Sequence, residues 1–103
     1  MIIVRSKNNV PIRLTDERWR HISTQHPEMD GFRDLLLETV SDPDCILEGD
    51  TGELLAVKEH ASEGIPANFL IVAYKEVNEQ DGFVLTGYFT RRISPKRKTI
   101  WKP

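Results

Sequence analysis

Hydrophobic and polar residues alternate most regularly in the stretch GFVLTGYFTRR, residues 82–92. The pattern predicts two sides of an extended strand: Phe83, Leu85, Gly87 and Phe89 on one, and Val84, Thr86, Tyr88 and Thr90 on the other. β-branched and aromatic residues dominate the stretch, which also favours a strand. One side can bury apolar bulk. The other carries hydroxyl groups and leads into Arg91 and Arg92, which suits either an anion site or a solvated sheet face.

The beginning of the chain predicts a small hairpin followed by a helix. Apolar runs at residues 2–4 and 10–14 flank the polar residues SKNN, which suit a turn. Thr15 is a good N-cap, and the two acidic residues after it favour a helix over residues 16–25. Pro27 disfavours helical backbone at the residue before it, so we expect the helix to end there.

A second helix is predicted by a stripe of residues with helical spacing: Phe32, Leu35, Leu36, Thr39 and Val40. Asp30 is expected to cap this helix, and the sequence Asp-Pro-Asp at 42–44 to end it. Together the helical and alternating patterns predict these core residues: Trp19, Ile22, Phe32, Leu36, Leu70, Phe89 and either Val72 or its neighbour Ile71.

From residue 45 onward the spacing of apolar residues becomes that of strands. The predicted segments are strands over 45–48, 53–60, 68–77 and 99–101 besides the one above, a hairpin loop over 49–52, a loop over 61–67 and a turn over 78–82. Helices followed by hairpin-connected strands indicate an α+β fold. We therefore expect a single domain over residues 1–103, with two N-terminal helices packed on one face of an antiparallel sheet.

The composition is that of one globular domain. The chain has 103 residues, of which 39% are hydrophobic and 29% charged, enough for a modest single core. No apolar run approaches the roughly 20 residues of a membrane helix, and the N-terminal run is too short for a signal peptide, so we expect a cytoplasmic protein with no membrane contact. The single cysteine, Cys45, is expected in the core, which fits a reducing compartment.

Charge is distributed unevenly along the chain. All 16 acidic residues lie at or before Asp81, whereas six basic residues and no acidic ones follow from Arg91 onward. The last part of the chain therefore carries +6 and the rest −8, within a formal net charge of −2. Such a local basic cluster allows a phosphate-bearing partner even though the protein is acidic as a whole, and the alternative is a solubilising terminus.

The histidines offer the main candidates for acid–base chemistry. His21 and His26 lie five residues apart, about 140° around a helix, so they do not share a face. One interpretation makes His21 an exposed residue and His26 a C-terminal cap; the other makes one of them a general base or acid, because imidazole titrates near neutral pH. The chain shows no metal-binding motif and no glycine-rich phosphate loop, so we expect neither metal nor cofactor.

Several short motifs occur together in one order: RWRHI at 18–22, HPE at 26–28, DPD at 42–44, LIVAY at 70–74, GFVLTGY at 82–88 and IW at 100–101. This series resembles the phage-associated members of the Barnase–EndoU–colicin–RelE-like (BECR) nuclease superfamily. The resemblance spans roughly residues 12–101. It implies an α+β fold with helices on a four-stranded antiparallel sheet, and metal-independent RNA cleavage of the kind found in toxins and mobile-element proteins.

The resemblance also implies roles for individual residues. The helix histidine of that superfamily corresponds to His21, with His26 as the other candidate. The hydroxyl-bearing last strand corresponds to Thr86 and Tyr88, followed by Arg91. Gly87 departs from the pattern, because alanine is commoner at that place.

Two functions follow as hypotheses. The first is an endoribonuclease that acts through the RNA 2′-hydroxyl, with these predicted catalytic residues: His21, His26, Thr86, Tyr88 and Arg91. The predicted substrate-binding residues are Lys58, Arg92, Lys96, Arg97 and Lys98. Lys58 and Tyr74 would lie close to Thr86, Tyr88 and Arg91 only if all of them share one face of the sheet. The expected partners are RNA, with tRNA as one candidate, and a cognate inhibitor protein. The second hypothesis is a non-enzymatic module that binds RNA or protein with the same fold.

Overall fold

The predicted hairpin, helices and strands all form in the computed structural model, which describes residues 1–60 and 64–103. The elements in order are β1 (Ile2–Arg5), β2 (Pro11–Leu14), α1 (Asp16–Gln25), a 3₁₀ helix (Pro27–Met29), α2 (Arg33–Ser41), β3 (Cys45–Glu48), β4 (Leu54–Glu59), β5 (Phe69–Asn78), β6 (Asp81–Thr90) and β7 (Thr99–Trp101). Part of the loop expected over 61–67, namely residues 61–63, lies outside the described residues. The structure is thus an α+β fold with two α-helices in the described ranges.

The strands form one sheet in the order β1-β2-β6-β5-β4-β3-β7. Neighbouring strands are antiparallel except β2 and β6, which run parallel where Ile12 pairs with Gly82 and Arg13 with Phe83. The expectation of an antiparallel sheet below two N-terminal helices is therefore corrected. The β1–β2 hairpin precedes the helices and extends the sheet to seven strands, and its pairing with β6 makes the sheet mixed.

Helix α1 spans the predicted residues because both of its ends are fixed by local chemistry. The Thr15 hydroxyl accepts a hydrogen bond from the Arg18 backbone N–H at 3.0 Å, which satisfies one of the free donors of the first turn. Ile22 is fully buried, and Trp19 packs partly buried against the same core. The helix ends at His26, whose backbone N–H donates to the Ile22 carbonyl.

Helix α2 begins later than it would if Asp30 were its N-cap, as the sequence predicted. Its N-cap is Phe32, which offers no side-chain hydrogen bond, and Asp30 instead closes the preceding 3₁₀ helix by donating its backbone N–H to Pro27. The predicted stripe is confirmed: Leu36, Thr39 and Val40 are fully buried, and Phe32 and Leu35 pack against the core. The apolar stripe holds this helix in place, since no side chain caps its start.

The central strands bury residues on both faces of the sheet. The main core lies between the helices and the sheet and includes Ile22, Leu36, Leu70, Val72 and Tyr74. A second cluster on the opposite face includes Leu47, Leu55, Val57, Ile71 and Ala73, with Ile93 and Tyr88 packed on it. All predicted core residues belong to one of these clusters. The connection from β6 to β7 carries Ile93 across this second face, because β7 lies at the far sheet edge.

Strand β6 contains an irregularity that changes which residues share a side. Its register against β5 shifts between the pairs Ala73–Thr86 and Tyr74–Val84, which leaves Leu85 as an extra residue. Val84, Gly87 and Phe89 consequently lie toward the helices. Leu85 and Tyr88 pack on the opposite face, where Thr86 pairs with Ala73. The expectation that Val84 shares a side with Thr86 and Tyr88 is therefore wrong.

The sheet curls around the C-terminal end of α2. Lys7, in the β1–β2 turn, lies over the ring of Trp101 in β7 at 4.9 Å from the ring centroid, although these strands are the two opposite sheet edges. Asp42, which ends α2, joins Lys7 at 3.7 Å and Lys58 at 3.5 Å. None of the helices within 1–60 and 64–103 is long and apolar enough to cross a membrane.

Candidate active site

The β6 edge beyond Phe83 is left without a strand partner in the described chain, since β2 pairs with β6 only at Gly82 and Phe83. Helix α1 and the 3₁₀ helix pack there instead. A backbone edge covered by side chains rather than by another strand keeps carbonyl and N–H groups available for polar contacts. The candidate site lies along this edge, which we call the free edge of β6.

His26 and Tyr88 meet at the free edge. Their ring centroids are 5.7 Å apart and their planes are tilted by 31°. His26 also places Nδ1 at 3.5 Å from Glu28 Oε1, and the His26 side chain keeps 32% of its surface exposed. A carboxylate and a phenol therefore both lie close to an imidazole that solvent reaches. His26 also ends α1 through its backbone, so its side chain remains available for chemistry.

Thr86 lies two residues before Tyr88 and is partly buried. Its hydroxyl oxygen is buried and has no hydrogen-bond partner among the described residues. Such a group normally finds a partner, because leaving it unpaired destabilises the fold by about 1–3 kcal/mol. The structure thus places Thr86 and Tyr88 near each other, as the alternation predicted, but through a bulge that the alternation did not reveal.

Arg18 was missed as a site residue in the sequence analysis. Its guanidinium Nη1 donates to the Leu85 carbonyl at 3.4 Å, which ties α1 to the extra residue of the bulge. Arg18 forms no ion pair among the described residues. The sequence offers one clue, since Arg18 precedes His21 by one helical turn in the motif RWRHI.

His21 lies on the outer side of α1 and is exposed. It lines a cavity of about 360 Å³ together with Thr15, Glu17 and Arg18. The structure therefore separates the two candidate histidines: the His26 ring lies near the Tyr88 ring, whereas His21 lines the same cavity as Arg18.

Arg91 and Arg92 follow directly after β6 and are both exposed. The Thr90 hydroxyl donates to the Arg92 carbonyl at 3.0 Å, which shapes the turn that leaves the strand. Neither arginine forms an ion pair among the described residues. Their charges lie close in sequence to Tyr88 and are free to meet an anion.

Arg97 is held in place by the β3–β4 loop. Its guanidinium donates to both oxygens of Asp50, at 2.9 and 3.5 Å, and to the Glu48 carbonyl at 3.3 Å. The hydrogen bond to Asp50 raises the pKa of Arg97. Lys96 and Lys98, on either side, are exposed. Of this predicted trio, Arg97 is therefore engaged within the protein, and the two lysines are open to solvent.

Lys58 and Tyr74 lie on the other side of the sheet from Tyr88. The register pairs Lys58 with Leu70 and Leu70 with Phe89, which places all three on the helix side. Lys58 Nζ donates to the Asp42 carbonyl at 2.7 Å, and its side chain is only 16% exposed. Tyr74 is fully buried in the main core, and burial, followed by the charge of Glu76, raises the pKa of its phenol. The structure does not bring either residue to the candidate site.

In the described part of the chain, neither Cys45 nor the acidic residues form a second catalytic or metal-binding site. Cys45 is partly buried at the second core cluster, where burial and then the charge of Asp44 raise the pKa of its thiol. A thiol with a raised pKa carries little thiolate at neutral pH and is a poor nucleophile. Within residues 1–60 and 64–103, no group of three or more His, Cys, Asp and Glu side chains is placed to hold a metal ion.

The free edge of β6 thus combines a proton acceptor, a hydroxyl donor and guanidinium groups. Imidazole can take a proton, a phenol can donate one, and guanidinium groups stabilise a charged oxygen or a phosphate. Comparison of the chain with protein-family models, with curated proteins and with solved structures found no match.

Proposed function

We propose that this protein is a metal-independent endoribonuclease of toxin or mobile-element type, which cleaves RNA through the 2′-hydroxyl. The observation that carries the proposal is the approach of His26 to Tyr88, at 5.7 Å between ring centroids, on a strand edge that leads into two exposed arginines. This arrangement supports the pairing of imidazole, hydroxyl and guanidinium groups that the sequence resemblance implies.

The proposed reaction is an internal transesterification. His26 accepts the proton of the 2′-hydroxyl, whose oxygen attacks the adjacent phosphorus as the bond to the 5′-oxygen breaks. The Tyr88 phenol donates a proton to the departing 5′-oxygen. The products are a 2′,3′-cyclic phosphate and a free 5′-hydroxyl. Because the 2′-hydroxyl is the nucleophile, DNA is not a substrate.

Neighbouring groups support each step. The Glu28 carboxylate, at 3.5 Å from His26 Nδ1, stabilises the imidazolium that forms and orients its ring. Arg91 supplies positive charge for the phosphorane oxygens. Arg92, Lys96 and Lys98 attract the RNA backbone, and Lys58 is left out because it is bound to Asp42. The proposed partners remain RNA, including tRNA, and a cognate inhibitor protein.

The proposal is tested by incubating the purified protein with total tRNA and with mRNA in EDTA. Products with 2′,3′-cyclic phosphate ends are expected from the wild type. His26→Ala and Tyr88→Phe should each slow cleavage by about 10²-fold or more if they act as base and acid. Arg20→Ala, an exposed charge change on α1, serves as the matched control and should leave the rate unchanged.

Three outcomes oppose the proposal in different ways. Intact RNA with every substrate, together with salt-dependent binding, would support the alternative of a non-enzymatic binding module. Cleavage that survives both substitutions would mean that the reaction takes place elsewhere. Loss with His21→Ala but not with His26→Ala would transfer the role of base to the outer side of α1.

A further inference from the structure

Two adjacent cavities meet at Arg18. The larger, of about 360 Å³, is lined by Thr15, Glu17, Arg18 and His21. The smaller, of about 160 Å³, is lined by Arg13, Thr15, Arg18, Phe83 and Val84. Because Thr15 and Arg18 line both cavities, the two form one groove along the first turns of α1. We call it the Arg18 groove.

The side chains of Arg13 and Phe83 form a platform on one wall of the groove. The Arg13 guanidinium carbon lies 5.5 Å from the centroid of the Phe83 ring, which is the arrangement of a cation–π contact. Arg13 is also paired with Asp81, and both side chains remain partly exposed, at 39% and 43%. The pairing neutralises the charge of Arg13, while the Arg13 side chain and the Phe83 ring below it both stay partly exposed. Planes of this kind stack unpaired nucleobases.

Arg18 provides the charge that the platform lacks. It uses one hydrogen bond on the Leu85 carbonyl and has no ion-pair partner among the described residues, so most of its five donors are free. Glu17 is the one acidic residue among the described lining residues. With Arg13 neutralised by Asp81, the groove carries little net charge. It therefore suits one phosphate with its nucleoside better than a polyphosphate chain.

We infer that the Arg18 groove is a subsite for one nucleotide of single-stranded RNA, whose base stacks on the Arg13–Phe83 platform and whose phosphate binds Arg18. The inference rests on the proposed function, since it places this nucleotide next to the one that is cleaved. Arg18 reaches β6 at Leu85, and the His26–Tyr88 pair lies three residues further along the strand, about 10 Å away. The same chain of RNA can therefore reach both places.

The subsite is tested with an oligonucleotide that cannot be cleaved. A fluorescein-labelled hexamer of 2′-O-methyluridine is titrated with the wild type, Arg18→Gln and Phe83→Leu, and binding is followed by anisotropy. Each substitution should weaken binding about tenfold, the loss that removing one stacking or phosphate contact produces. Arg18→Gln should also lower the salt dependence by the equivalent of about one phosphate contact. Arg20→Gln, exposed on the same helix, is the matched control and should bind as the wild type.

An abasic hexamer separates stacking from a structural effect. Phe83→Leu should bind this probe as well as the wild type does, because no base is left to stack. A loss that persists on the abasic probe, or a variant that binds the uridine hexamer with full affinity, would overturn the subsite. The proposed nuclease is judged separately. If RNA binding depends on Phe83 but RNA is not cleaved, the nuclease proposal fails and the subsite stands. If RNA is cleaved but binding does not depend on Phe83, the subsite fails and the nuclease proposal stands.

Discussion

Gly87 of β6 lies directly against Leu36 of α2. A methyl group added at Gly87 would lie 2.6 Å from Leu36 Cδ1, closer than two non-bonded carbon atoms approach in proteins. Leu36 is fully buried, so it has little room to move. The absence of a side chain at Gly87 therefore sets how closely α2 packs on the sheet.

Gly87→Ala should destabilise the protein by about 1–3 kcal/mol, the usual effect of overpacking a core. Leu36→Ala alone should destabilise it by about 2–5 kcal/mol, because it opens a cavity. In the double variant the new methyl group occupies part of that cavity, so the two losses should not add. Urea denaturation of the four proteins measures the coupling. Additive losses would show that the two residues do not meet.

Tyr74→Phe should raise stability by about 1 kcal/mol at neutral pH, since the buried Tyr74 hydroxyl has no hydrogen-bond partner among the described residues. The variant should also change the response to alkaline pH. Folding raises the pKa of this phenol, so the unfolded chain loses the proton first, and wild-type stability should fall as the pH rises above about 10. Tyr74→Phe lacks this loss, and urea denaturation at neutral pH and at about pH 11 compares the two. A variant less stable than the wild type at neutral pH would contradict the assignment of an unpaired hydroxyl.

Much of the fold could be predicted because its determinants are local. The Thr15 cap and Pro27 fix both ends of α1, and the strand spacings placed β3 and β7 correctly. The start of α2 was misplaced because hydrophobic packing holds it without a side-chain cap. The parallel pairing of β2 with β6 joins segments about 70 residues apart, and no local turn motif predicts such a pairing.

The candidate site was only partly predictable, because it too depends on contacts between segments that are far apart in the sequence. The sequence left His21 and His26 as alternatives and named Tyr88 as a hydroxyl that one of them could meet. The structure shows the approach of His26 to Tyr88. The bulge at Leu85 arises from pairing with β5, so alternation within β6 alone could not reveal it. The position of Arg18 depends on a contact with the Leu85 carbonyl, 67 residues away, on the part of β6 that lies beyond its pairing with β2.

Thr86→Val should raise stability by about 1 kcal/mol and leave the proposed ribonuclease activity unchanged. The Thr86 hydroxyl oxygen is buried and has no hydrogen-bond partner among the described residues, so its removal takes away an unpaired polar group, and a bound substrate does not reach it. Thr90→Val is the matched control. Its hydroxyl donates to the Arg92 carbonyl, so its removal should lower stability. A loss of activity in Thr86→Val with the fold intact would give the hydroxyl a role in cleavage.

Lys58→Ala and Arg91→Ala each remove one positive charge, the first from the helix side of the sheet and the second from the segment that follows β6, and should have different effects. Lys58 donates to the Asp42 carbonyl at the end of α2 and is largely covered, so its loss should lower stability by about 1 kcal/mol and leave RNA affinity unchanged.

Arg91 is exposed and has no ion-pair partner among the described residues, so its loss should leave stability unchanged. It should weaken RNA binding and reduce the slope of affinity against salt by about one phosphate contact. Thermal unfolding and titrations of labelled RNA at several salt concentrations measure both quantities for both variants. If Lys58→Ala lowered the salt slope as Arg91→Ala does, RNA would have to reach the helix side of the sheet. The candidate site at the free edge of β6 would then be incomplete.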